Sequence, residues 1–507
     1  MQINILEYFE NTLKHSYERT AVIEGENNIS FGELEIKAKK LAEYIIELNE
    51  EIINKPIAVY LPKSIDCVVS DIAITYSSNI YMNLDIKTPI SRIENILELV
   101  KPAYVITNNQ FADKLETINV KIINLDILNF KQNKSSYDFS RRFDKLIDTD
   151  PMCIINTSGS TGTPKGVVLN HKSFIDFTEW AVDTLDISDN EVLGSLSPSV
   201  FDIYSFELCM LMAKGSTIVL IPDTFAAFPA KMLNLMNENN ITFIFWVPTV
   251  MVNIANMDLL TKIQLMTLKT VWFAGEVFPT KQFNYWKKHL IDTKFINLYG
   301  PIEITLDCIY FIVEREIKDE EPIPIGYPCR NTDILLLTDK DTLAQDGEEG
   351  EICVRGTSLA MGYYNNPEKT AQAFVQNPLN KSYPEIIYRT GDLAFINENG
   401  EMIFKGRKDT LIKHMGYRIE LAEIEHIVVN NLKIVENCCV IYNDVKKQII
   451  MIYESKNELE TSQLRKVIGE AMPKYMIPTA YIRLDEMPRS TNGKIDRLKL
   501  KNDYLIK

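Results

Sequence analysis

Histidine is scarce in this chain of 507 residues: there are five, and none is spaced to share a metal ion with a cysteine. That speaks against a zinc site, which needs such ligands close together. The eight cysteines are scattered, with no C-x-x-C, although Cys438 and Cys439 adjoin. They read as reduced, partly buried thiols of a cytosolic protein. Basic residues are in deficit, 54 against 69 acidic, for a net charge of -15. A nucleic-acid protein, which gains affinity by neutralising phosphates, is not expected; nor is docking on an anionic membrane. The opening "MQINILEYFENTLKHSYERT" lacks the basic, apolar and small-residue regions of a secretion signal. The most apolar window, 241–257, is interrupted by Pro248, Thr249 and Asn253. It reads as buried core, since a membrane span needs about 18 or more apolar residues. No internal repeat or low-complexity tract is present. These absences predict a cytoplasmic protein with neither nucleic-acid partner nor membrane insertion.

What is present is ordinary globular composition, 46% hydrophobic and 24% charged. The length predicts two to four domains and a core that needs no covalent staples. Residues 31–49 carry apolar side chains at helical spacing, "KPIAVYLP" (55–62) reads as a buried strand, and "SIDCVVSDIAITYSS" as the next helix. "YVITN", "KIINL" and "MCIIN" continue the alternation, which predicts α/β architecture with mostly parallel strands. Residues 128–150 read as a polar, irregular surface connection. From 347 the chain turns to short glycine-punctuated strands, a smaller β-rich subdomain. After Gly406 the pattern becomes helix, strand, strand, helix, an α+β domain of roughly 100 residues.

The stretch "INTSGSTGTPKGVVLNHKSF" (155–174) opens with three glycines, five hydroxyl residues and Lys165 in its first twelve positions. Such a loop after a strand aims backbone N–H groups and hydroxyls at phosphate oxygens, with glycine leaving no Cβ in the way. It is not a G-x-x-x-x-G-K-[ST] loop, because only two residues separate Gly159 from Gly162 and Gly166 follows Lys165. Composition alone leaves a plain surface loop equally open.

"TSGSTGTPKGV" resembles the signature loop of the adenylate-forming enzymes. Seven further segments resemble that family's motifs in its order: "SPSVFDIYSFEL" (197–208), "FAGEVFP" (273–279), "NLYGPIEIT" (297–305), "GEICVRGTSLAMGYYNNPEKTAQAF" (350–374), "YRTGDLA" (388–394), "GRKDTLIKHMGYRIELAEIE" (406–425) and "PRSTNGKIDR" (488–497). Within the family the likeness is to stand-alone amino-acid adenylation enzymes, the adenylation domains of nonribosomal peptide synthesis and D-alanyl carrier protein ligase. The resemblance implies an α/β fold: a large N-terminal domain of two mixed sheets with flanking helices and a β-rich subdomain, then a small mobile α+β lid. It places the core at 1–406 and the lid at 407–507, with a hinge near Asp409.

The implied cofactors are ATP and Mg²⁺. Thr157, Ser158, Gly159, Ser160, Thr161, Gly162 and Lys165 would cradle phosphates, with Thr161 catalytic. Glu303 would hold Mg²⁺, a hard cation suited to oxygen ligands; on local sequence it reads equally as a solvated acid. Tyr299 would stack on adenine beside Gly275, Asn297 and Gly300, although a tyrosine before Gly-Pro also reads as turn packing. Asp392 would accept ribose hydroxyls and Arg407 would touch the same nucleotide; an Asp after Gly391 also reads as a tight turn. Lys494 would bridge carboxylate and α-phosphate, a role resting on the resemblance alone.

Asp202 lies in an apolar run, and a buried carboxylate needs a cationic partner. A substrate ammonium supplies one; an internal Lys or Arg is the alternative. The resemblance extends the pocket to Ile203, Phe206, Phe245, Trp272, Ala274, Leu298, Leu306 and Asp307, whose bulk favours a small amino acid. Two departures stand out: Ile302 replaces a hydroxyl residue, and "SSNIYMNLD" (77–85) replaces a glycine- and proline-containing stretch. No phosphopantetheine-attachment segment follows Lys494, so a carrier protein is expected in trans. An acyl- or aryl-CoA ligase and a catalytically silent binding paralogue are the competing readings.

Overall fold

The computed structural model describes residues 2–128, 135–157, 164–408, 411–435, 437–456, 459–488 and 495–505. They form two compact units. The first comprises Met1–Ile86, Val100–Ile155 and Gly166–Lys408; the second comprises Lys87–Leu99, Asn156–Lys165 and Asp409–Lys507.

Two large mixed sheets dominate the first unit. One has nine strands, of which Thr20–Glu24, Thr217–Leu220, Val192–Ser195, Phe243–Trp246, Thr270–Phe273 and Lys294–Tyr299 run parallel side by side. Antiparallel strands close both edges. The other has seven strands, with Ile80–Asn83 at its centre and Pro56–Val59 between it and Tyr104–Thr107, all three parallel. The parallel strands are short, continuous apolar runs because helices cover both sheet faces. The expected β-rich subdomain is a five-stranded antiparallel sheet built from Thr332–Leu337, Gly350–Gly356, Phe374–Gln376, Ile386–Ile396 and Met402–Arg407.

Local signals set the helices. Phe31–Leu48 begins at a capping box, in which Ser30 Oγ accepts from Glu33 N and Glu33 Oε2 accepts from Ser30 N. Asp202–Lys214 ends at Gly215, left-handed at φ +62°. Every residue from Ile203 to Met212 in that helix is buried. It is buried all round because it is packed on all sides. Phe206 stacks on Trp272 of the nine-stranded sheet, while Ser205 accepts a hydrogen bond from Tyr81 of the seven-stranded sheet.

The apolar window 241–257 is two buried elements, the strand Phe243–Trp246 and the helix Pro248–Asn256. Among the described residues no helix is long and apolar enough to cross a membrane. All eight cysteines are free and buried. The connection 128–150 is more ordered than expected where it is described. It holds a helical turn, Ser140–Phe143, and Arg142 is buried, donating to the carbonyls of Ile52 and Glu50. The second unit contains the hairpin Leu411–His414 and Tyr417–Glu420, then Leu421–His426. Its three-stranded sheet is Asn437–Asn443, Gln448–Glu454 and Ala480–Leu484, with helices Thr461–Ala471 and Arg497–Leu505.

Candidate functional site

Two groups of expected residues come together in the first unit. The strand Lys294–Tyr299 pairs antiparallel with Ile309–Ile312, Tyr299 opposite Ile309, so residues 300–308 form its closing loop. Gly300 is forced at the loop's entry: a Cβ there would stand 2.2 Å from Leu306 O and 2.5 Å from Asp307 Cα. The tyrosine hydroxyl donates to Asp392 Oδ2 at 2.5 Å. Arg407 lies directly across the sheet from Asp392 and donates to its Oδ1 at 2.6 Å and to Thr390 O at 3.0 Å. Thr390 Oγ1 in turn accepts from Asp392 N. Asp392 is therefore a buried carboxylate held on both oxygens, with its backbone N–H tied to Thr390, a different environment from an open turn. Burial, and then the Asp392 charge, push the Tyr299 phenol far above its ordinary value, so it stays a donor.

Glu303 sits in the 3₁₀ turn Ile302–Ile304 and is fully buried. The reading of a solvated acid is corrected here: Tyr363 Oη donates to Glu303 Oε1 at 2.8 Å, and Ala360 N binds its carbonyl. Ile302, the residue that departs from the family pattern, packs partly buried against the main core. Asn297 spends its amide on Pro324 O at 2.8 Å, and Gly275 holds φ +89°. Tyr363 and Thr390 are the site residues that sequence reasoning passed over. Both stood inside the quoted motifs, but neither type announces a role until its partner is in place.

The second group is apolar. Ile203, Phe206, Phe245, Trp272, Ala274, Leu298 and Leu306 all belong to one packed cluster. Strand alternation puts Phe245, Trp272 and Leu298 there, while Val271 and Phe273 face a different cluster. Phe206 stacks on Trp272 at 5.2 Å and 17°, and Phe245 meets both rings edge-on. Trp272 is fully buried, yet its Nε1–H has no hydrogen-bond partner among the described residues. Asp307 is buried in the loop after Tyr299. Asp202 differs from expectation: it is half-buried, not buried, and opens the helix Asp202–Lys214. The helix N-terminus favours its negative charge, so its stability does not require an internal cation.

Lys165 begins the strand Lys165–Asn170, and within the second unit its Nζ is 2.8 Å from Glu420 Oε1. Thr157 ends the strand Pro151–Thr157. Ser158, Gly159, Ser160, Thr161, Gly162, Asp409 and Lys494 lie outside the described residues. Among those described, no cluster of three metal-ligating side chains occurs. A single protein carboxylate such as Glu303 suits a cation whose other ligands are waters and phosphate oxygens, as Mg²⁺ prefers.

Comparison with known proteins supplies relatives in sequence and in fold. A family model described as AMP-binding enzyme matches residues 9–364, and one described as AMP-binding enzyme C-terminal domain matches 423–494. The chain is 30% identical to gramicidin S synthase 1 of Brevibacillus brevis over 505 residues, covering 98% of this chain and 44% of that protein. It is 28% identical to zwittermicin A synthase ZmaJ of Bacillus cereus over 508 residues, covering 98% and 94%. Its fold superposes on the o-succinylbenzoate CoA synthetase of Bacillus subtilis with a TM-score of 0.84, at 20% identity, over 99% of this chain and 98% of that one.

Proposed function

The chain belongs to the AMP-binding enzyme family, and from that premise we propose that it activates a small amino acid with ATP. A substrate carboxylate oxygen attacks the α-phosphorus, pyrophosphate leaves, and an aminoacyl-adenylate forms. A phosphopantetheine thiol on a carrier protein then attacks the acyl carbon, and AMP leaves. Phosphoryl transfer of this kind asks the protein for positioning and for cations and donors where negative charge develops.

The observation that carries the amino-acid reading is the placing of Asp202. It is the half-exposed carboxylate heading a helix whose buried flank joins an apolar and aromatic cluster. An ammonium group pairs with that charge while a short side chain meets the rings. The orphaned Trp272 N–H and the buried Asp307 favour a side chain with a polar atom. The relative named gramicidin S synthase 1 supports the same reading.

The remaining roles are proposed on the same footing. Tyr299, Gly300, Gly275 and Asn297 bound the adenine, and Asp392, steadied by Arg407, receives the ribose. Thr157 to Gly162 and Lys165 hold the phosphates, with Thr161 assisting the reaction. Bound Mg²⁺ supplies charge neutralisation at phosphate oxygens, with Glu303 as its protein ligand. Lys494, delivered by a C-terminal lid at 407–507, meets the α-phosphate.

Amino-acid-dependent exchange of pyrophosphate into ATP, screened over the twenty amino acids, D-alanine and β-alanine, tests the reading; silence across that panel would overturn it. The fold shared with a CoA synthetase keeps an acyl- or aryl-CoA ligase as the second reading. Asp202→Ala separates the two. It is expected to remove activation of amino acids, by roughly 100-fold or more for a lost ion pair, and to leave an amine-free acid untouched.

A further inference from the structure

The helix that carries Asp202 touches rings on one side and a hydrogen-bonded polar network on the other. Tyr204 Oη donates to Asp71 Oδ2 at 2.8 Å. Asn83 Nδ2 donates to the same oxygen at 3.0 Å and to Ser199 O at 3.1 Å. Thus one amide clamps both the network and the loop that enters the helix. One residue on, Ser205 Oγ accepts from Tyr81 Oη at 2.9 Å. Ahead of the helix, Lys63 Nζ donates to Ser195 O at 2.8 Å and Ser197 O at 3.1 Å. Asp71, Asn83 and Tyr204 are all buried. Asp71 also lines a cavity of about 10 Å³, room for a single water.

A carboxylate, an amide and a phenol in an apolar layer are costly to bury, and well-packed apolar residues there would serve stability as well or better. What a hydrogen-bonded network supplies and grease does not is a fixed register. Here the register is that of Ser199 to Ser205, and Asp202 lies in the middle of it. Tyr81 and Asn83 both come from residues 77–85, the stretch that departs from the family pattern.

We propose that Asp71, Asn83 and Tyr204 are positioning residues that hold the first turn of the helix Asp202–Lys214 so that Asp202 meets the substrate ammonium. None of the three touches substrate; they act through Asp202, and the proposal rests on the amino-acid reading above.

The test uses the full chain with Tyr204→Phe and, separately, the apolar triple Asp71→Leu, Asn83→Leu, Tyr204→Phe. Pyrophosphate exchange gives KM for the amino acid and for ATP. Amide hydrogen exchange follows residues 202–206, and thermal melting follows stability. Tyr204→Phe is expected to raise the amino-acid KM about tenfold while ATP KM stays within about twofold. Amides of the first helical turn should exchange about tenfold faster. The triple variant should keep the raised amino-acid KM whether or not its melting temperature recovers. An unchanged amino-acid KM, or equal rises in both KM values, would overturn the proposal. If the wild-type chain activates no amino acid, the reading above fails by itself. The amide-exchange arm then decides the network, and unchanged protection in Tyr204→Phe overturns it.

Discussion

Glu207 lies on the same central helix, 2% exposed, and its Oε2 has no hydrogen-bond partner among the described residues. Burial pushes its carboxyl up to about 7, although Lys63 pulls the other way. Unfolded, the group titrates near an ordinary glutamate, at about 4.3. Because the folded value is the higher one, the native state binds the extra proton between the two. Its contribution to stability is complete below the unfolded pKa and is lost as pH rises through about 7. Glu207→Gln is neutral throughout. The variant is therefore expected to gain melting temperature over wild type at pH 8 but not at pH 5. Melts at the two pH values check this, and an offset that is the same at both would refute it. Asp71 moves in the same direction for the same reason, burial. At this scale the sequence discloses residue type and not environment. Glu303 read equally as a solvated acid because its burial is decided by Tyr363, sixty positions away. Asp202 read as buried because its neighbours are apolar, yet a helix start exposes one edge of its first residue.

Loop 300–308 shows what an element adds. Thr305 and Leu306 both take left-handed backbone, at φ 53° and 66°, which side chains of their kind avoid. The loop holds that conformation by folding tightly onto Gly300, where the nearest obstacles to a Cβ are backbone atoms that cannot step aside. Gly300→Ala should therefore cost about 1–3 kcal/mol through overpacking. It should also displace Tyr299, Glu303 and Asp307 together. Loss of pyrophosphate exchange accompanied by a lowered melting temperature is the expected result; a variant with wild-type exchange would show that the close approach is dispensable. Regular elements were legible beforehand because periodicity and caps are local. Phe31–Leu48 follows from its apolar spacing and its Ser30–Glu33 box, and Pro56–Val59 from a short apolar run. The turn Ser140–Phe143 was not legible, since four residues carry no period. It exists because Arg142 reaches carbonyls of Glu50 and Ile52, some ninety positions earlier.

For the whole molecule, the informative fact is that the C-terminal region has apolar cores of its own. One runs from Ile419 to Met476 and a second from Cys439 to Leu500. A region with its own core is stable as a unit of its own, which is what the proposed lid requires. The proposed hinge, Asp409, and the proposed lid lysine, Lys494, fall outside the described residues, so their roles rest on the motifs that surround them. Sequence could mark these positions because the motifs are short and ordered, but a motion leaves no periodicity to read. Proline tests it directly, because it fixes φ near -65° and removes a backbone donor. If one lid pose serves adenylation and another serves thiol transfer, Asp409→Pro traps the first. Pyrophosphate exchange should then stay within about twofold of wild type while loading of a pantetheine thiol falls by about 100-fold. A local packing defect would weaken both half-reactions alike, and that outcome would discard the hinge. Lys494→Ala is the counterpart. It should suppress adenylate formation far more than ATP binding, since a cation that meets the α-phosphate stabilises the charge of the transition state more than the ground state.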